Sequence, residues 1–191
     1  MTDAASPPDP VAAAAARDAV SRAASAVART VASLAAADVR TETLADLVPE
    51  RRVLGISRPV RMTALGRVWR LGVLLLDADG AVYGTGRVIR AERAARKSVT
   101  ANAVAEQRAL RAAAVKGGIP EGETVDFAAT AVDFDRLAGT GASGPLVIGG
   151  DGRGGAKVLV RWSPTQPDAL IGFEAYLIDR ADLLLHPPQG T

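Results

Sequence analysis

From Val11 to Asp38 the chain contains neither glycine nor proline, and half of that stretch is alanine. Such a run has one favourable backbone state, the α-helix. Asp9-Pro10 precedes it as helix starts do, with an acid at the N-cap and proline at the first helical position. At 1.5 Å per residue the helix extends about 40 Å. Val20, Ala24, Val27, Val31 and Leu34 recur at spacings of four and three and form a narrow apolar seam, with Asp18, Arg22, Ser25 and Arg29 on the opposite side. Small residues along a seam permit close helix packing. Residues 11–38 are therefore expected as a helix docked on its own domain, with a loose extension, or a homo-oligomer contact through this helix, as the alternatives. Apart from Leu34 the seam lacks the Leu, Phe and Trp that insert into a lipid surface, so no membrane partner is expected.

The remainder reads as one α+β domain over residues 44–188, with residues 1–10 as a disordered N-terminus. Residues 40–65 alternate turn signals with short apolar pieces and predict one or two short strands. The runs Arg67–Leu76 and Ala81–Arg90 flank Asp77-Ala-Asp-Gly80 and predict a β-hairpin. A helix over 91–117 follows, capped by Ser98 or Thr100 and stopped by Gly117-Gly118. Val125–Val132 predicts a strand, Ala138–Gly144 a loop, and Pro145–Ile148 with Lys157–Trp162 a second hairpin. Asp168–Leu185 predicts a helix with Leu170, Phe173, Leu177, Ala181 and Leu184 on its apolar face, stopped by Pro187-Pro188. Hairpins outnumber βαβ units, so the sheet is expected to be mainly antiparallel with helices packed on it.

Composition excludes some chemistry. The chain has no cysteine, which removes disulfides, thiolate metal sites and cysteine nucleophiles, and fits a cytoplasmic location. One histidine cannot make a multi-histidine metal site, and neither a metal nor a cofactor is expected. His186 stands just before two prolines, and as a catalytic base it needs Ser143 or another serine brought close in space. Gly149–Lys157 departs from a phosphate loop, because Ala156 separates the last glycine from Lys157 and Val158 replaces the hydroxyl. Gly84-Thr-Gly86 lacks the third glycine of a dinucleotide fingerprint, Ile89 standing in its place. Both read as loop and strand glycines. Glu121, Glu123, Asp126, Asp133 and Asp135 form an acidic cluster, read as solvated.

Charge is unevenly distributed. Residues 50–116 carry a net +9 and residues 117–191 a net −5. The plain reading is mutual neutralisation in the fold; the sharper one is an anionic ligand or nucleic acid on a basic face. Arg51, Arg52, Arg58, Arg61, Arg67, Arg70, Arg87 and Arg90 are the densest basic set, and pairing Leu76 with Ala81 places Arg70 opposite Arg87. Trp69 and Tyr83 lie on the same strands and suit base stacking. Arg67, Trp69, Arg70, Tyr83 and Arg87 are thus the candidate ligand-binding residues.

Arg52-Val-Leu-Gly-Ile56, Gly66–Asp77, Gly117–Val125, Val160-Arg-Trp-Ser163 and Asp182–Pro188 carry a resemblance to short uncharacterised proteins of high-GC Gram-positive bacteria, a source that the alanine excess and the arginine-dominated basic side also suggest. Some similar proteins carry the name glutaminase, which implies amide hydrolysis. Serine-dependent glutaminases use Ser-x-x-Lys, and no serine here is followed by lysine three residues on. The expected function is a non-catalytic protein that binds a protein partner or a small anionic ligand. The alternatives are a small amide hydrolase and a nucleic-acid or phosphate binder using the basic block 51–116.

Overall fold

The structure, a computed structural model, describes residues 10–53, 56–93, 102–163, 165–166 and 168–188, with backbone alone for 51–53, 56–58 and 102–103. Helix α1 (Pro10–Ala36) leads into β1 (Glu42–Val48), β2 (Arg51–Val53), β3 (Ile56–Arg58), β4 (Arg61–Leu71), β5 (Leu74–Asp77), β6 (Val82–Gly84) and β7 (Arg87–Arg90). Then come α2 (Asn102–Lys116), β8 (Thr124–Phe127), β9 (Thr130–Ala131), α3 (Phe134–Thr140), β10 (Ala142–Ser143), β11 (Leu146–Gly150), β12 (Ala156–Arg161), β13 (Leu170–Gly172) and α4 (Phe173–Leu185). This is an α+β fold with mainly antiparallel pairing, as the hairpin-rich sequence predicts.

The largest sheet runs β7-β8-β1-β4-β5-β6-β9. Its two ends are the same two strands. Only Thr85-Gly86 separates β6 from β7, and only Ala128-Ala129 separates β8 from β9. Gly84 pairs with Thr130 and Arg87 with Phe127, so one register continues across both breaks. The pairing is therefore a ring: β1, β4, β5, the strand 82–90, the strand 124–131, and back to β1. The sheet closes into a small five-stranded barrel, and the parallel β1–β8 pair is the seam. Closure leaves no open sheet edge along this ring. At the shared kink Ala128 has φ +54°, and a Cβ on Gly86 would fall on the carbonyl oxygens of Phe127 and Ala128.

Helices cover the outside of the barrel. Ala45, Met62, Val125 and Phe127 pack beneath Leu110, Ala113 and Ala114 of α2. Trp69, Leu71, Leu74, Leu76 and Val82 join α1, α3, α4 and the inner face of the sheet β10-β11-β12-β13 in the largest core. Leu44, Val68 and Leu75, with Tyr83 and Ala129, form a third cluster that contains no helical residue. Strand parity puts that cluster inside the barrel: Leu44 pairs across Asp126, and Leu75 across Arg70 and Tyr83.

Several expectations need correction. Arg67–Leu76 is not one strand: it folds back at Gly72-Val73, with Leu71 paired to Leu74. Gly72 takes φ +64° there, and the Tyr176 hydroxyl accepts a hydrogen bond from Val73 N. Arg70 consequently pairs with Leu75, and Arg87 with Phe127. Residues 138–144 are not a plain loop. Asp133 accepts from Arg136 N and starts α3, while Gly141 at φ +78° ends it. The last helix starts at Phe173 rather than Asp168, because Leu170–Gly172 adds to β12 as a strand. In α1 the buried line is Ala16, Ala19, Ala23, Ala26, Val27, Thr30 and Leu34. Ala24 is exposed and Val20 and Val31 flank the contact, since the alanines admit the closest approach. Ser98 and Thr100 lie outside the described residues.

Candidate functional site: the mouth of the barrel

Alternation along β4 divides the five sequence-predicted residues between two surfaces. Arg67 and Trp69 point outward with Thr43, while Arg70 points inward. On the neighbouring strands Tyr83 points inward and Arg87 outward, beside Phe127.

The outward three are structural. Arg67 donates to Thr41 Oγ1, Thr43 Oγ1, the Thr41 carbonyl and Glu123 Oε2 at 2.7–3.0 Å. Trp69 is 5 % exposed and donates to the Val39 carbonyl at 2.9 Å, so its ring has no face left for a base. Arg87 stands over the Phe127 ring and pairs with Glu106 of α2.

The inward pair has a different setting. Arg70 donates from Nε to Glu42 Oε2 at 3.0 Å and from Nη2 to Asp126 Oδ1. Asp126 is completely buried, and among the described residues its Oδ2 has no hydrogen-bond partner. Glu42 and Arg70 are about a quarter exposed, which places them at the barrel mouth with Asp126 behind them. Neither Arg70 Nη1 nor Glu42 Oε1 bonds to a described residue. Below lie Leu44, Val68 and Leu75, which fill the interior. A barrel this narrow holds side chains rather than a cavity, so a ligand has access only at the rim. Tyr83 donates to Asp77 Oδ2 at 3.3 Å. Burial first, and then the charges of Asp77 and Asp79, push its hydroxyl above the usual phenol range.

Groups suited to catalysis are dispersed. Ser143 is buried, and its Oγ accepts from Asp133 N at 2.8 Å. His186 caps the C-terminal end of α4 and pairs with Asp182 at 2.9 Å, both side chains being mostly exposed. Within the acidic cluster Glu121 pairs with Arg93, Glu123 with Arg67 and Asp126 with Arg70, and Asp133 caps α3. These acids are mostly partnered rather than solvated. Asp135 lies in the first turn of α3, where a negative charge suits the helix dipole. In the loop after β11, Asp151 Oδ1 accepts from Arg153 N and Gly155 N, and those two bonds hold its carboxyl below the usual range. The loop satisfies its own amides with its own acid. Gly84 exists for packing, since Pro145 occupies the space a Cβ would need.

Much of the basic block is neutralised: Arg67, Arg70, Arg87, Arg93 and Arg111 all pair with carboxylates. Arg61 and Arg90 are exposed, and the side chains of Arg51, Arg52 and Arg58 lie outside the described residues. Among the described residues no group of three or more metal-ligating side chains converges, and no helix is long and apolar enough to cross a membrane.

Sequence reading passed over Glu42 and took Asp126 as a solvated acid. The available signal was Thr124-Val-Asp-Phe127, where a lone acid alternates with two core residues. Comparison with protein-family models, curated proteins and solved structures finds no match.

Proposed function

We propose that this is a non-catalytic binding protein whose ligand sits at the mouth of the small barrel. The observation that carries the reading is the Glu42–Arg70 pair, held at the rim by the buried Asp126 carboxylate, with Arg70 Nη1 and Glu42 Oε1 uncommitted among the described residues. A free donor nitrogen beside a free acceptor oxygen matches a group that carries both a donor and an acceptor. A carboxamide or urea meets this: its carbonyl oxygen accepts from Arg70 and its N–H donates to Glu42. The rest of the ligand lies over the rim, because the interior is filled. An anion fits less well. Two carboxylates already flank the one guanidinium, so a third negative charge meets net repulsion. Of the two stacking residues a nucleic-acid reading needs, Trp69 is in the core and Tyr83 points into the barrel with its hydroxyl on Asp77.

Hydrolysis needs an activated nucleophile beside a base. Ser143 and His186 instead have separate structural partners, Asp133 and Asp182.

The test is thermal unfolding with a panel of primary amides and ureas, beside phosphate and citrate, on the wild type and on Glu42→Ala. A ligand that binds only the native state raises the melting temperature with concentration. The expected result is a rise with an amide that disappears in Glu42→Ala. Stabilisation by phosphate or citrate instead returns the site to anions. Ammonia release from L-glutamine that is lost in Glu42→Ala overturns the non-catalytic reading.

A further inference from the structure

Helices α1 and α4 pack against each other and leave a groove along their outer surface. Ala26, Arg29, Thr30 and Ser33 line one wall, and Glu174, Ile178, Ala181, Asp182 and Leu185 the other. Ile178 is 69 % exposed, an unusual position for an isoleucine in the middle of a helix whose other large residues are mostly inside. Glu174 and Asp182 stand one helical turn before and after it, so the α4 wall reads acid, isoleucine, acid. The α1 wall carries the opposite charge in Arg29. Among the described residues neither Arg29 nor Glu174 has an ion-pair partner, in contrast to the paired arginines of the sheet. Thr30 and Ser33 turn their hydroxyls onto their own helix, to the carbonyls of Ala26 and Arg29, and so present mostly hydrocarbon to the groove.

We infer that this groove is the contact for a second copy of the chain, related by a two-fold axis running along the groove. Rotation about that axis lays the α1 wall of one copy on the α4 wall of the other. The basic wall then meets the acidic wall twice, and each Ile178 is covered by the hydrocarbon of the other copy's α1 wall. Such a surface is self-complementary, which an isologous dimer requires. A groove with one sign of charge on both walls fails this condition. None of the residues lining the groove belongs to the barrel mouth, so ligand binding and association are tested separately.

The experiment is sedimentation velocity of the full chain from micromolar to near-millimolar concentration. The wild type is expected to pass from monomer to dimer. Ile178→Glu, an exposed substitution whose folding is checked by circular dichroism, weakens the dimer about tenfold or more. Arg29→Glu does the same. Mixing Arg29→Glu with Glu174→Arg restores association between the two variants, since each supplies the charge the other lost. A wild type that stays monomeric throughout overturns the inference. So does a dimer that survives Ile178→Glu, or a charge-swapped pair that fails to associate.

Discussion

Arg70 and Asp126 meet inside the barrel in unequal surroundings: the guanidinium side chain is 29 % exposed and the carboxylate not at all. The inequality fixes which partner is costly to remove. Without Arg70, a carboxylate remains in the interior with nothing to compensate it. Without Asp126, Arg70 keeps Glu42 and can turn toward water.

Arg70→Met is therefore expected to destabilise the fold by about 3–5 kcal/mol, the range for an orphaned buried charge. Asp126→Leu costs distinctly less, because leucine joins Leu44, Val68 and Leu75 in the cluster beside it. The double variant Arg70→Met/Asp126→Leu recovers most of the loss. Urea unfolding of the four proteins measures all three values, and a double variant no more stable than Arg70→Met refutes the argument.

A second prediction concerns the kink shared by the strands 82–90 and 124–131. Gly86→Ala places a methyl against the backbone of Phe127 and Ala128, which has no flexible end to move aside. The expected cost is about 1–3 kcal/mol, as for overpacking. Ala128→Gly works in the opposite direction, because Ala128 holds φ +54° against the steric preference of an L-residue. Relief of roughly 1 kcal/mol is partly offset by the larger entropy of glycine in the unfolded chain. Melting temperatures that move in opposite directions for the two variants bear this out.

Tyr83 gives a prediction in pH. Its hydroxyl titrates above the ordinary 10.0, chiefly through burial and then through Asp77 and Asp79. The native state thus holds the phenolic proton where the unfolded chain has released it. The resulting stability is complete below about pH 10 and is lost as pH rises from there through the native value. In Tyr83→Phe this component disappears, so stability declines less steeply above pH 10. Denaturation midpoints at pH 9 and at pH 11 provide the comparison, and equal slopes in the two proteins contradict it.

Local chemistry made part of this architecture readable from the chain. Half-alanine composition without glycine or proline leaves α1 no competing backbone state, and Gly117-Gly118 and the paired prolines end helices by steric rules that act on neighbours alone. The hairpin of β11 and β12 was likewise legible, since its two apolar runs flank a glycine-rich turn. Tertiary structure decided the rest. Gly72 sits in an unbroken apolar stretch, and its turn is selected by Tyr176, more than a hundred residues later. Closure of the barrel depends on a parallel pair between β1 and β8 that no local pattern announces. With closure came the inside and the outside, and so the fate of each arginine. Arg67 and Arg70 are three residues apart and chemically identical. One ties the outer surface together and the other reaches the buried acid, because strand pairing sets which way each side chain points.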